Sequence, residues 1–112
     1  MTDCLFCNIV TGAIPATRVW EDDHYLAFRD IDAKAPTHVL VIPRRHVASL
    51  DAERDAGQLG GLMLAAAAVA RQEGIAESGY RTVINTNRDA QQSVFHLHVH
   101  VLGGRALNWP PG

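Results

Sequence analysis

Three of the six histidines in this chain lie at alternate positions, as His96, His98 and His100. Alternate residues of a β-strand point to the same face, so we predict one strand face that carries all three imidazoles. The residues between and beside them would form the opposite, core-facing side: Phe95, Leu97, Val99 and Val101. Imidazoles are costly to bury without partners, so such a row indicates chemistry with a metal, a proton or a nucleophile.

Three kinds of chemistry compete for these histidines. Zinc can bind three imidazoles and a water, although alternate residues of one strand seldom converge on a single ion. One histidine could instead act as a general acid or base. One could also attack as a nucleophile while its neighbours hold an oxyanion or phosphate, because imidazole is largely neutral at pH 7. The spacing leaves these last two readings open.

Cys4 and Cys7 form a second motif with chemical potential. The start of the chain has neither the basic residues nor the long apolar run of a signal peptide, which predicts a reducing, cytoplasmic location. The pair would then be metal ligands, a redox pair or buried thiols rather than a structural disulfide. A tetrahedral zinc site would need two further ligands.

The composition narrows the class of protein. A chain of 112 residues with 47% hydrophobic and 20% charged residues is typical of a single globular domain. A net charge of −2 gives no basic surface for duplex nucleic acid. No apolar run has the length of a membrane span. We therefore expect neither a nucleic-acid duplex nor a membrane as partner.

The pattern of apolar and turn residues predicts two helices and five strands. The first helix covers residues 4–10, with Asp3 as its N-cap and Gly12 after its end. An apolar stripe with helical spacing predicts the long helix over 53–73, ended by Gly74. The five predicted strands cover residues 17–21, 24–28, 37–43, 80–85 and 93–102.

Strand 37–43 should lie in the centre of the sheet. It carries apolar residues on both faces, with Val39 and Val41 on one side and Leu40 and Ile42 on the other. Polar loops rather than crossover helices join the last strands, which favours an antiparallel sheet. We predict a single α+β domain over 1–112, with five antiparallel strands, the helices mainly on one face, and 105–112 as a C-terminal tail.

The segment from His96 to Leu102 resembles the signature of the histidine triad (HIT) family, in which histidines alternate with apolar residues. Further segments resemble the branch of this family that hydrolyses nucleoside phosphoramidates. They are residues 28–31, 35–43, 80–85, 92–94 and the terminal 109–112, with the sequence Trp-Pro-Pro-Gly. The resemblance spans nearly the whole chain and implies the HIT fold.

This resemblance implies a reaction that needs no catalytic metal. A purine nucleoside 5′-phosphoramidate, such as AMP joined to an amine, would be hydrolysed to the nucleoside monophosphate. By analogy with the family, His98 attacks the α-phosphorus and forms a nucleotidyl-histidine that water then cleaves. A backbone carbonyl of the triad segment would fix the tautomer of His98, with His38 nearby as support.

The resemblance also implies the residues that bind the nucleotide. Asp30 would accept hydrogen bonds from the ribose hydroxyls. The apolar slot for the purine would comprise Phe6, Ile9, Phe28, Ile31 and Leu40. The phosphate would contact Asn85, Gln91, Gln92, Ser93 and His100, beside the nucleophile His98. The loop over 89–92 departs from this branch, which often has paired glycines there.

Family members with an N-terminal cysteine pair often hold a structural zinc. The resemblance implies that its ligands here are Cys4, Cys7, His46 and His96. Family members also form two-fold dimers, which implies a homodimer in which the tail shapes the partner subunit's site. Trp109, a large aromatic residue on this tail, supports that expectation.

Two other functions remain open. One is hydrolysis of diadenosine polyphosphates, a reaction of the same family, which the Trp-Pro-Pro-Gly tail disfavours. The other is a nucleotide-binding or interaction module without catalysis, which the intact His98 disfavours.

Overall fold

The structure, a computed structural model, describes residues 1–112 as two helices and one five-stranded antiparallel sheet. The spatial order of the strands is β1-β2-β3-β5-β4. The elements are α1 (Leu5–Thr11), β1 (Arg18–Glu21), β2 (Tyr25–Arg29), β3 (Thr37–Pro43), α2 (Ala56–Gln72), β4 (Tyr80–Val83) and β5 (Val99–Gly103). The predicted α+β class and strand number are confirmed. Neither helix has the length and apolar character that crossing a membrane would require.

The central strand β3 separates two apolar clusters. Val39 and Val41 belong to the larger cluster, which includes the buried face of α2. Leu40 and Ile42 belong to the smaller cluster, on the opposite side. The helices therefore lie on opposite faces, and the expectation that both cover mainly one face is wrong. A strand that is apolar on both faces needs a cover on each, and α1 covers the second.

Helix α1 is short, and its ends are set by two specific residues. Its N-cap is Cys4, whose Sγ accepts the N–H of Cys7 at 3.3 Å, so the prediction of Asp3 as cap is wrong. Gly12 ends the helix with φ of 84°, as predicted. Seven residues are too few for a stable isolated helix, so α1 depends on the packing of Phe6 and Ile9.

Helix α2 begins at Ala56, later than predicted, because Asp55 caps it by accepting the N–H groups of Gly57 and Gln58. Gly61, which weakens the helix by propensity, has a packing role. A Cβ there would overlap the ring of Tyr25, whose hydroxyl donates to the carbonyl of Gln58 at 2.7 Å. The glycine therefore lets β2 and α2 approach closely.

Strand β5 starts at Val99, so the prediction of a strand over 93–102 is wrong for its first half. Residues 93–98 are irregular, and the N–H of Leu97 donates to Val47 outside the sheet at 2.7 Å. Phe95, predicted to face the core, is 53% exposed. His96 and His98 thus precede the strand, while His100 lies within it, opposite Leu40 of β3.

Candidate active site and metal centre

A cavity of about 340 Å³ opens between α1, the end of β2 and the start of β5. This volume suits a small-molecule ligand. Nine of the residues predicted to bind a nucleotide line it, namely Phe6, Ile9, Phe28, Asp30, Ile31, Leu40, Ser93, His98 and His100. The structure therefore brings the apolar slot, the carboxylate and two histidines to one place.

Six further residues line the cavity but were not predicted from the sequence. They are Leu5, Ile14, Pro15, Ala16, Arg29 and Val94. The apolar run Ile14-Pro15-Ala16 in the loop after α1 is the one signal that could have identified part of this wall.

Three predicted phosphate contacts, Asn85, Gln91 and Gln92, do not line the cavity. The side-chain amide of Gln92 is buried and donates both its hydrogens within the protein, to the carbonyls of Ala48 at 2.9 Å and Val94 at 3.1 Å. It has no N–H left for a phosphate. Gln91 adopts a φ of 62°, in the left-handed region that glycine enters most readily. The loop therefore keeps a backbone conformation suited to glycine, which the similar family branch often has there.

His98 is buried at the cavity wall, and its tautomer follows from one contact. Its Nδ1 lies 2.8 Å from the backbone carbonyl of His96, which can only accept, so Nδ1 carries the hydrogen. The lone pair of the neutral ring is then on Nε2. Burial lowers the pKa of His98, which keeps the ring neutral at pH 7. The ring of Phe6 packs against it edge to face, at a centroid distance of 5.1 Å.

His38 and His100 lie beside the nucleophile candidate. Nε2 of His38 is 2.9 Å from Nδ1 of His100 and 3.3 Å from Oδ2 of Asp30. Burial lowers the pKa of His38, and burial with the neighbouring His98 and His38 lowers that of His100 to about 4. We call Asp30, His38, His98 and His100 the pocket cluster. The lowered pKa values favour the neutral form of its histidines at pH 7, which is the form a nucleophilic imidazole needs.

The four predicted zinc ligands meet at the start of α1. One ligand atom from each of Cys4, Cys7, His46 and His96 lies within 4.8 Å of all the others. We call these residues the metal cluster. Nδ1 of His96 is 3.4 Å from Sγ of Cys4, 3.5 Å from Sγ of Cys7 and 3.3 Å from Nδ1 of His46. Tetrahedral zinc would separate such ligands by about 3.3 to 3.6 Å.

The surroundings of the metal cluster fit a zinc ion. Nε2 of His96 donates to the carbonyl of Pro43 at 2.8 Å, which leaves the lone pair of Nδ1 facing the other ligands. Burial, with Cys4 beside it, raises the pKa of Cys7 to about 11 in the metal-free protein. A bound cation would reverse this effect, because zinc binds the thiolate.

The two clusters are joined through His96. Its imidazole belongs to the metal cluster, while its backbone carbonyl holds Nδ1 of His98 in the pocket cluster. Phe6, on α1 between Cys4 and Cys7, contacts the rings of both His96 and His98. The position of the nucleophile candidate is therefore tied to the metal ligands by a backbone bond and by one aromatic side chain.

The chain is similar to known proteins in both sequence and structure. A family model described as the HIT domain matches residues 11–107. The solved structure of a HIT family hydrolase from Legionella pneumophila has a TM-score of 0.95 and 48% identity, over 98% of this chain and 100% of that one.

Two plant proteins are similar in sequence. A 14 kDa zinc-binding protein of Zea mays is 50% identical over 96% of this chain and 87% of its own length. A protein of Arabidopsis thaliana named adenylylsulfatase HINT1 is 48% identical over 96% of this chain and 76% of its own.

Proposed function

The chain belongs to the HIT domain family, and we propose that it hydrolyses purine nucleoside 5′-phosphoramidates to the nucleoside monophosphate and an amine. The observation that carries this proposal is the tautomer of His98. Its Nδ1 hydrogen is held by the carbonyl of His96, so the lone pair of a buried neutral imidazole is available at the cavity wall. That is the arrangement a nucleophilic histidine needs.

The first step is attack on phosphorus. The purine lies in the apolar slot around Phe6 and Phe28, and the carboxylate of Asp30 accepts hydrogen bonds from the ribose. Nε2 of His98 forms a bond to the α-phosphorus as the phosphorus–nitrogen bond to the amine breaks. The amine takes up a proton from solvent as it leaves, and the nucleotide stays on His98.

The second step is hydrolysis of the nucleotidyl-histidine. Water attacks the phosphorus and gives up a proton to solvent, the bond to His98 breaks to restore its neutral ring, and the nucleoside monophosphate departs. Neutral donors of His100 and Ser93, both at the cavity wall, hold the phosphate oxygens in each step. His38 supports His100 through the 2.9 Å contact between their rings.

A second candidate substrate is an adenylyl sulfate, which the name of the Arabidopsis relative favours. The same attack by His98 would release sulfate in place of an amine. Sulfate is a stable anion and needs no proton to leave, so the two substrates place different demands on the site. Both pass through the same nucleotidyl-histidine.

Turnover of defined nucleotides tests the proposal. The purified protein and its His98→Ala variant would be incubated with an AMP phosphoramidate, an adenylyl sulfate and a diadenosine polyphosphate, and AMP release followed by chromatography. We expect the phosphoramidate to be cleaved fastest and the variant to be inactive. His24→Gln, at an exposed histidine outside both clusters, is the matched control.

The outcomes separate the alternatives. Preference for adenylyl sulfate would change the substrate but keep His98 as nucleophile. Preference for the diadenosine polyphosphate would place the chain with the hydrolases of those compounds. Nucleotide binding without cleavage of any substrate would make it a binding module.

We propose that the metal cluster holds one structural zinc. The spacing of its four ligand atoms supports this, as does the hydrogen bond that orients His96. A zinc content far below one per chain, in protein with reduced thiols, would contradict it. The free thiols of Cys4 and Cys7 suit a reducing cytoplasm, where we place the protein.

We also propose a homodimer. Phe95 and Trp109 are 53% and 80% exposed, which is unusual for large aromatic side chains in a small domain. Exposed apolar surface of this kind often marks a protein–protein interface. The guanidinium of Arg81 lies 5.8 Å from the ring centroid of Trp109 and orients the tail. Light scattering at micromolar concentration should give twice the mass of one chain, and the mass of one chain would exclude the dimer.

A further inference from the structure

The backbone of Lys34 determines which nitrogen of His38 carries hydrogen. The N–H of Lys34 donates to Nδ1 of His38 at 3.0 Å. An imidazole nitrogen that accepts a hydrogen bond carries no hydrogen itself, so neutral His38 has its hydrogen on Nε2. The ring is buried, and the 2.9 Å contact of Nε2 with His100 therefore runs from His38 as donor to His100 as acceptor.

The same reasoning extends to His100. Its Nδ1 accepts from His38, so neutral His100 carries its hydrogen on Nε2. His98 has the opposite tautomer, with its hydrogen on Nδ1. The rings of His98 and His100 are adjacent, with centroids 5.1 Å apart. Nε2 of His98 therefore carries a lone pair, while Nε2 of His100 carries a hydrogen.

The side chain of Arg105 holds Lys34 in place from the segment after β5. Its Nη2 donates to the carbonyl of Lys34 at 2.9 Å. The side chain of Lys34 itself turns away to Asp32, so Lys34 acts on His38 through its backbone. Gly104 lets the segment after β5 lie close to the loop that contains Lys34, because a Cβ at position 104 would be 2.9 Å from Cβ of Pro36.

We propose that the backbone N–H of Lys34, held by Arg105, is a positioning group that sets the tautomers of His38 and His100 and makes His100 a hydrogen-bond donor to the substrate phosphate. This inference deepens the proposed function and rests on it for the identity of the substrate. It also explains why Asp30, His38 and His100, though close enough to share an ion, form a hydrogen-bonded group. A metal would need a lone pair on Nε2 of His38, where the hydrogen lies.

Long-range ¹H–¹⁵N spectra of the imidazoles test the tautomers without any substrate. In the wild-type protein with zinc, we expect the hydrogen on Nε2 in His38 and His100 and on Nδ1 in His98. Lys34→Pro removes the N–H, so His38 and His100 should lose their single tautomer while His98 keeps its own. Ala33→Pro is the matched control, since the backbone N–H of Ala33 has no hydrogen-bond partner.

Kinetics on an AMP phosphoramidate supply the second readout. Loss of one oriented donor to the phosphate should lower kcat by about tenfold or more in Lys34→Pro, with a smaller change in KM. Arg105→Gln should cause a smaller fall in kcat, and it serves as the test if Lys34→Pro does not fold. Ala33→Pro should retain the wild-type kcat.

The spectra and the kinetics can fail separately. A wild-type spectrum with the hydrogen of His100 on Nδ1 would overturn the inference whatever the activity. Unchanged tautomers and kcat in both Lys34→Pro and Arg105→Gln would overturn it as well. The expected tautomers in a protein that cleaves none of the nucleotides would support the positioning role and contradict the proposed function instead.

Discussion

The metal cluster and the pocket cluster are both rich in histidine, but they differ in where their hydrogens lie. In the metal cluster, the ligand atoms of two cysteines and two histidines lie within 4.8 Å of one another, and four of the pairs are 3.3 to 3.5 Å apart. The remaining ring hydrogen of His96 points away, to Pro43. In the pocket cluster, donors and acceptors alternate from Lys34 to His38 to His100.

This difference shows how the backbone decides what a histidine can do. Converging lone pairs repel one another unless a cation lies between them, whereas alternating donors and acceptors are satisfied without one. Three backbone groups establish the two patterns: the carbonyls of Pro43 and His96 and the N–H of Lys34. Residue type alone does not distinguish the clusters, and the following substitutions test the distinction.

The largest expected effect is the loss of turnover in His98→Gln. Without the nucleophile, the rate of AMP release should fall by at least about 10³-fold, because the covalent route is closed. The glutamine amide can still donate to the carbonyl of His96, so the melting temperature should change little. Rates would be measured at saturating AMP phosphoramidate and stability by thermal unfolding. A residual rate within tenfold of wild type would remove His98 as the nucleophile.

His96→Gln should have the opposite profile, with its main effect on stability. It removes one proposed zinc ligand and a buried hydrogen bond, which we expect to cost about 3 kcal/mol or more of unfolding free energy. Denaturant titration and zinc analysis of the purified variant measure this. If zinc content and stability both matched wild type, the metal cluster would not have the structural role that distinguishes it from the pocket cluster.

Phe6→Leu should affect both clusters moderately, because this ring touches His96 and His98. Leu is smaller than Phe, and the loss of buried apolar contacts at this position should cost about 1 to 2 kcal/mol. We expect a small loss of stability together with a several-fold rise in KM, since Phe6 also lines the cavity. Ile9→Leu, in the same helix and cavity but without a ring to pack against either histidine, is the control. Equal effects of the two exchanges would contradict a linking role for Phe6.

The smallest expected effect is a pH dependence of stability from the pocket cluster. Burial, with His98 and His38 adjacent and only Asp30 opposing, lowers the pKa of His100 to about 4. An unfolded histidine titrates near pH 6.5, so the unfolded chain binds more protons between about pH 4 and 6.5. The unfolding free energy should therefore fall as pH drops through this window.

Comparison of wild type with His100→Gln isolates this contribution. Urea titrations at pH 7, 6 and 5.5, in excess zinc, should show a shallower pH dependence in the variant. Parallel curves for the two proteins would mean that His100 is not held neutral by the fold.

The sequence predicted the parts of the fold that depend on alternation and helical spacing. The apolar residues on both faces of β3 identified it as the central strand, and Gly12 and Gly74 marked the helix ends. The irregular segment before Val99 was missed, because an alternating pattern continues through it. The N–H of Leu97 in this segment donates to the carbonyl of Val47 instead of to a neighbouring strand. This contact joins residues far apart in the chain, so the local pattern does not predict it.

The site was predicted where single side chains face the cavity and missed where the backbone acts. Asp30, His98 and His100 were identified by residue type and family resemblance. Lys34 acts through its main-chain N–H, and the side chain of Arg105 donates to the main-chain carbonyl of Lys34. Nearly every residue offers these two main-chain groups, and only proline lacks the N–H, so residue type does not reveal the role. Gln92 was assigned to phosphate from the family resemblance, yet its side-chain amide donates to the carbonyls of Ala48 and Val94.

Helix α1 carries two metal ligands at its start and contributes Phe6 to the wall of the cavity. Any coupling between the metal cluster and the cavity must be thermodynamically reciprocal. The factor by which a bound metal tightens nucleotide binding equals the factor by which a bound nucleotide tightens metal binding. If that factor exceeds one, removal of half the metal at equilibrium will require more chelator in protein saturated with AMP, and the ratio of the two chelator concentrations measures the coupling.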